Sequence, residues 1–174
     1  MDFLVVPTVT FRLLHVLVLL RHDRRSIMHV NVTQYPTAEW TAQQVVDAFP
    51  WDEVPRYLLR DRDGVYGRAF SKRVRGLGIE EVKTAPRSPW QNPYVERFNG
   101  TLRRELLDHV IVLGERHLRR LIGEYLSYYH EARCHLSLDK DSPHGREVQT
   151  PERGEVVAFP MVGGLHHRYE RRAA

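Results

Sequence analysis

Thr84-Ala85-Pro86-Arg87-Ser88-Pro89-Trp90-Gln91-Asn92-Pro93-Tyr94-Val95-Glu96-Arg97-Phe98-Asn99-Gly100-Thr101-Leu102 is the stretch on which the reading of this chain turns. Pro86 and Pro89 break any regular element, so 87–91 reads as a loop. Asn92 followed by Pro93 is a helix start: a capping side chain, then proline at the first helical position, where its missing N–H costs nothing. Val95, Phe98, Leu102 and Leu106 recur at helical spacing and predict a buried stripe. Glu96 lies off that stripe. Asn99 and Arg103 follow it at i+3 and i+7, so a polar face runs along the same helix.

Upstream, three strands are expected in succession: Asp2 to Val6, ended by Pro7; the apolar run Phe11 to Leu20; and the alternating segment Ile27 to Val32. Short turns between them suggest an antiparallel meander. The period then changes. Thr37 is a candidate N-cap for a helix carrying Ala42, Val45, Val46 and Phe49. Tyr57-Leu58-Leu59-Arg60 reads as a strand running into Asp61. Phe70, Val74 and Leu77 predict a second helix, stopped by Gly78, and Ile79 to Thr84 a fifth strand. After the quoted helix, Leu118, Leu121, Ile122, Tyr125 and Tyr129 predict a fourth. This order implies an α/β fold with a mixed five-stranded sheet flanked by helices on both faces. Residues 1–140 form the expected core. Residues 141–174 are a polar extension with a short β-hairpin, Val156 to Phe159 and Leu165 to Tyr169 around Gly163-Gly164.

The chain has 174 residues and one cysteine, Cys134. An internal disulfide and a CxxC zinc site are therefore excluded, and a reducing, cytoplasmic setting is expected. The ten-residue apolar run from Phe11 to Leu20 contains Arg12 and His15. It falls well short of the roughly 20 residues a membrane span needs, so no membrane association is expected. The formal net charge of +4 is unevenly spread: residues 55–104 hold twelve Lys and Arg against five acids. Such a basic middle fits a polyanionic partner as well as it fits an Arg-rich solvated surface.

Three acids stand where such a fold puts chemistry. Asp2 opens the first strand, Asp61 ends the fourth, and Glu96 sits in the first turn of the third helix. Carboxylates from separate elements, without HxH or HExxH, suit hard cations such as Mg²⁺ or Mn²⁺. Each also has a plainer reading: a frayed terminus for Asp2, a salt-bridged turn for Asp61, a favourable helix-dipole position for Glu96. No Ser-His-Asp arrangement supports a hydrolase. The ten histidines, His166-His167 among them, show no metal-cage spacing.

Leu59 to Gly67 (LRDRDGVYG), Thr84 to Leu102, and Tyr128 to Leu138 (YYHEARCHLSL) together resemble the integrase catalytic core of bacterial insertion-sequence transposases, within the retroviral integrase superfamily. The resemblance implies a ribonuclease-H-like fold over about residues 2–150 and an Asp-Asp-Glu triad. The triad falls on Asp2, Asp61 and Glu96, with Asp61 and Glu96 35 positions apart. Asp63 is a rival for the second place. Asp61 is preferred because the family's Asp stands five residues before a tyrosine, here Tyr66, which leaves Asp63 to cap the turn or orient Arg62.

The implied activity is metal-dependent DNA cleavage and strand transfer with two Mg²⁺ or Mn²⁺ ions on the triad. DNA is the implied partner, in homo-oligomers that pair two transposon ends. Arg87, Gln91, Asn92, Asn99, Arg103 and Arg104 are candidate DNA contacts, and Trp90 either stacks on a base or anchors the loop. Tyr128, Tyr129, His130, Arg133 and His135 are expected to close the last helix on the core. Family members usually carry an N-terminal helix-turn-helix region, and their first Asp lies within its strand. The resemblance therefore implies a truncated reading frame or core fragment. Such a fragment could be a remnant that only binds DNA or an intact partner. A metal-dependent ribonuclease on the same fold is a further alternative, against which the Pro-Trp-Gln-Asn-Pro loop argues.

Overall fold

The computed structural model describes residues 1–49 and 54–173. Three antiparallel strands come first, β1 (Asp2–Pro7), β2 (Leu13–Leu20) and β3 (Ile27–Thr33), in the order β1-β2-β3. Leu4 pairs with Val16, and Val16 with Val32. The second strand starts two residues later than the apolar run suggests. Thr8 N–H donates to Arg12 O at 2.8 Å, closing a turn in which Phe11 adopts φ 59° and is 89% exposed. Hydropathy alone does not reveal that left-handed turn.

Helix α1 (Ala38–Ala48) begins as expected, with Thr37 Oγ1 accepting from Trp40 N–H at 3.1 Å. Strands β4 (Tyr57–Arg60) and β5 (Glu80–Lys83) pair in parallel through helix α2 (Arg68–Gly76). Helix α3 (Pro93–Glu105) and helix α4 (Glu115–Glu131) follow. Strands β6 (Glu155–Met161) and β7 (His166–Arg172) form an antiparallel hairpin, longer at both ends than the sequence suggests.

The expected five-stranded sheet is instead a three-stranded and a separate two-stranded sheet. Among the described residues one hydrogen bond, Met1 N to Leu59 O at 2.7 Å, links the residue before β1 to the backbone of β4. The next group that a ladder would use, Met1 O, accepts from Asn92 Nδ2 at 3.0 Å. A side chain of the α3 start thus occupies the position of the missing strand–strand bond.

Burial explains why β2 is apolar throughout. Val16 and Val18 face α3 and α4, packing with Leu4, Val95, Phe98, Leu102, Ile122 and Tyr125. Leu17 and Leu19 face α1 and α2, packing with Val45, Leu58, Phe70, Val74 and Ile79. A strand covered on both faces cannot alternate polar and apolar residues. The hairpin docks on the first layer: Val162 joins its core, and the His166 ring stacks on Tyr128 with centroids 4.2 Å apart. His166 Nε2 also lies 2.8 Å from Glu105 O. Among the described residues no helix is long and apolar enough to cross a membrane.

Candidate active site

Strand alternation puts Asp2 on the same side of β1 as Leu4 and Val6, toward α3. There Asn99, buried in the middle of α3, donates Nδ2–H to Asp2 Oδ2 at 2.9 Å. Asp61 leaves the end of β4. Its carbonyl accepts from Arg60 Nη1 at 2.8 Å, and its Oδ1 accepts from Asp63 N–H at 3.3 Å. Asp63 Oδ1 in turn accepts from Val65 N–H at 3.0 Å, which makes Asp63 a turn-capping residue. Glu96 stands one turn before Asn99 on α3 and is exposed.

The electrostatics tie these acids together. Burial, reinforced by the charges of Glu96 and Asp61, pushes the Asp2 carboxyl up to about 6, against the opposing Phe3 backbone hydrogen bond. Burial and the negative charges of Asp61, Asp2 and Asp63 push the Tyr66 hydroxyl well above its ordinary range. Among the described residues, however, no three of His, Cys, Asp and Glu lie close enough together to hold a metal ion. Like charges repel, and Glu96 stays turned to solvent.

The donor chemistry nonetheless suits a hard cation. All the acids are oxygen donors, and Asp2 carries excess negative potential. Tyr66 OH, Asn92 Oδ1 and Asn99 Oδ1 are buried oxygens without a hydrogen-bond partner.

The remaining candidates divide by exposure. Arg87 (φ 57°), Arg103 and Arg104 are exposed, and Trp90 is 70% exposed, so Trp90 does not anchor its loop. Gln91 holds the loop instead, its Oε1 accepting from Ala85 N–H at 2.7 Å. Asn92 and Asn99 are buried. The expected capping bond from Asn92 is absent, because its amide is turned to Met1 O. Asn92 and Asn99 therefore face β1, whereas Arg87, Arg104 and Trp90 face outward and the exposed Arg103 reaches Val5 O of β1 at 3.4 Å.

At the end of α4, Arg133 binds Glu105 through both nitrogens of its fork, and Tyr129 OH donates to Arg25 O at 3.2 Å. His130 Nε2 accepts from Ile27 N–H at 2.9 Å.

Two features escape the sequence reading. Arg68, Lys72 and Arg75 of α2 line a groove with Lys83 and Tyr66, and none of these four cations forms an ion pair among the described residues. The charge surplus of residues 55–104 was the available signal. The second is Arg60, a charged residue on the buried side of β4, which it shares with Leu58.

Residues 77–143 match the integrase core domain family. The uncharacterized 39.2 kDa protein of insertion element IS476 from Xanthomonas euvesicatoria is 29% identical over 108 residues, covering 60% of this chain and 31% of that protein. The chain thus spans about a third of that relative's length. A chain of the simian T-cell lymphotropic virus intasome, in complex with the PP2A regulatory subunit B56 gamma, has a similar fold. Its TM-score is 0.64 at 14% identity, over 97% of this chain and 64% of that one. The catalytic core domain of BIV integrase superposes with a TM-score of 0.58 at 15% identity, over 82% of this chain and 89% of that one. Residues 77–143 are thus similar to the integrase core domain family, and the fold is similar to that of retroviral integrase catalytic cores.

Proposed function

We propose that this chain is the catalytic core of a DNA transposase, performing metal-dependent cleavage and strand transfer. The observation that supports it most is that Asn99 of the helix carrying Glu96 holds Asp2 at 2.9 Å, and that burial, reinforced by the charges of Glu96 and Asp61, raises the Asp2 carboxyl. In this reading Asp2, Asp61 and Glu96 would hold Mg²⁺ or Mn²⁺, which when bound would help activate the attacking oxygen and offset charge developing on the phosphate. Asn99 orients Asp2 by donating to its Oδ2. Arg87, Arg103 and Arg104 grip phosphates, and Trp90 stacks on an unpaired base. The chemistry is two in-line displacements at phosphorus: water cuts at a transposon end, and the freed 3′-hydroxyl then attacks the target strand. Pairing two ends calls for at least two copies of the chain on DNA.

The direct test incubates the chain with labelled duplex carrying candidate ends, Mn²⁺ or Mg²⁺, and target DNA, beside Glu96→Gln. Products longer than the input, absent with the variant, support strand transfer. Cleavage of RNA–DNA hybrids without joining would contradict it. A second reading, a core that binds DNA or an intact partner without cutting, draws on the exposure of Glu96 and the absence of a gathered three-acid cluster among the described residues. DNA binding without either product would favour it.

A further inference from the structure

We infer that Arg60 is the positioning residue that sets the direction of Asp61, an inference resting on the reading of Asp61 as a metal ligand. Arg60 is the last residue of β4 and only 3% exposed. It shares its side of the strand with Leu58, which packs in the apolar layer under α1 and α2. A guanidinium placed there meets two aromatic rings, with its carbon 4.7 Å from the Tyr66 centroid and 5.4 Å from that of Phe70. Its donors are divided between two acceptors. Nε and Nη2 lie 2.7 and 2.6 Å from Glu81 Oε2 on β5, and Nη1 donates to Asp61 O at 2.8 Å. Burial pushes the Glu81 carboxyl up, but hydrogen bonding by Ser71 and Arg60 outweighs it and holds the group below its usual range.

Packing does not explain this arrangement. A buried ion pair returns little net stability over apolar residues of the same volume, because desolvation of both charges offsets their attraction. A methionine would fill the space between Leu58, Tyr66 and Phe70. It could not hydrogen-bond. The guanidinium ties the Asp61 carbonyl to the neighbouring strand at the point where the chain leaves the sheet. It also lies against Tyr66, five residues on. One side chain therefore fixes both ends of the 61–66 loop. Inside the loop, Asp63 N–H donates to Asp61 Oδ1 and Tyr66 N–H to Asp63 O. The Asp61 carboxylate is held in its direction before any ligand arrives, as a metal site requires of its supporting residues.

The test compares the wild-type chain with Arg60→Met/Glu81→Met and with Arg60→Lys. Removing both charges together avoids stranding an unpaired buried carboxylate, and Arg60→Lys keeps the charge on Glu81 but loses the fork. Three quantities are read: melting temperature, Mn²⁺ affinity by calorimetry, and amide hydrogen exchange at Asp63, Val65 and Tyr66 without metal. The expected result is a double variant that melts near the wild type, exchanges these amides at least tenfold faster, and binds Mn²⁺ at least tenfold more weakly. Arg60→Lys falls between, and it carries the comparison if the double variant does not fold. Unchanged exchange in folded variants overturns the inference, as does unchanged Mn²⁺ affinity. If the wild type binds no Mn²⁺ while the loop loosens only in the variants, positioning by Arg60 stands and the metal-ligand reading of Asp61 fails.

Discussion

Asn99 donates to Asp2 across 2.9 Å, linking the first carboxylate on β1 to the helix that carries Glu96 one turn earlier. The sequence suggested Asn99 as a DNA contact. It is buried, and its amide supports Asp2. Removing such a support commonly weakens metal binding 10- to 100-fold. Asn99→Ala should therefore lower Mn²⁺ affinity by about tenfold while the protein stays folded, as calorimetry and a thermal melt together would show.

Asp61 and Asp63 are two residues apart and do different work. Asp63 closes its turn through Val65 N–H, whereas Asp61 contributes to the raised Asp2 carboxyl. Asp63→Ala should cost about 1 kcal/mol of stability and leave Mn²⁺ binding nearly intact. Asp61→Asn should spare stability and remove the binding. The reverse pattern would assign the metal-binding role to Asp63.

Stability should respond to pH through two groups of opposite sign. Burial, with His144 and His135 nearby, lowers His130 to about 4, so the folded protein holds this ring neutral while the unfolded chain protonates it. That contribution is complete above about pH 6.5 and is lost as pH falls toward 4. Asp2 behaves oppositely. Its carboxyl, raised to about 6, keeps its proton in the folded state, so its contribution fades as pH rises from about 4 to 6. Urea melts from pH 4.5 to 8 should show His130→Gln flattening the acid-side loss. Asp2→Asn should be more stable than wild type above pH 6, by up to about 2 kcal/mol.

The basic groove along α2 and the exposed arginines of α3 are separate surfaces, and salt dependence distinguishes them. Each lost phosphate contact lowers the slope of log affinity against log salt by about 1. Arg103→Ala/Arg104→Ala and Lys72→Ala/Arg75→Ala should each flatten that slope on duplex DNA if both surfaces hold the backbone. A pair that leaves it unchanged does not touch phosphate.

Much of the architecture was legible because periodicity reports burial. The stripe Val95, Phe98, Leu102 and the run along β2 both read directly as core. What stayed hidden depended on individual hydrogen bonds. Nothing in the pattern of Asn92-Pro93 says that the Asn92 amide donates to Met1 O and not to its own helix, or that β1-β2-β3 and β4-β5 form two sheets. Phe11 looked like strand because hydropathy carries no information on φ. The three candidate acids were legible as carboxylates on three elements. The burial of Arg60 and Asn99 needed coordinates, since a polar residue's burial depends on partners distant in the chain.

The most direct test of the central claim is Mn²⁺ binding to the purified chain by calorimetry at pH 7.5, beside Asp61→Asn and Glu96→Gln. Binding by the wild type, lost in both variants while their melting temperatures hold, is the predicted result. A folded wild-type chain that binds no Mn²⁺, or variants that bind as well as it does, would contradict the assignment of Asp2, Asp61 and Glu96 as one site.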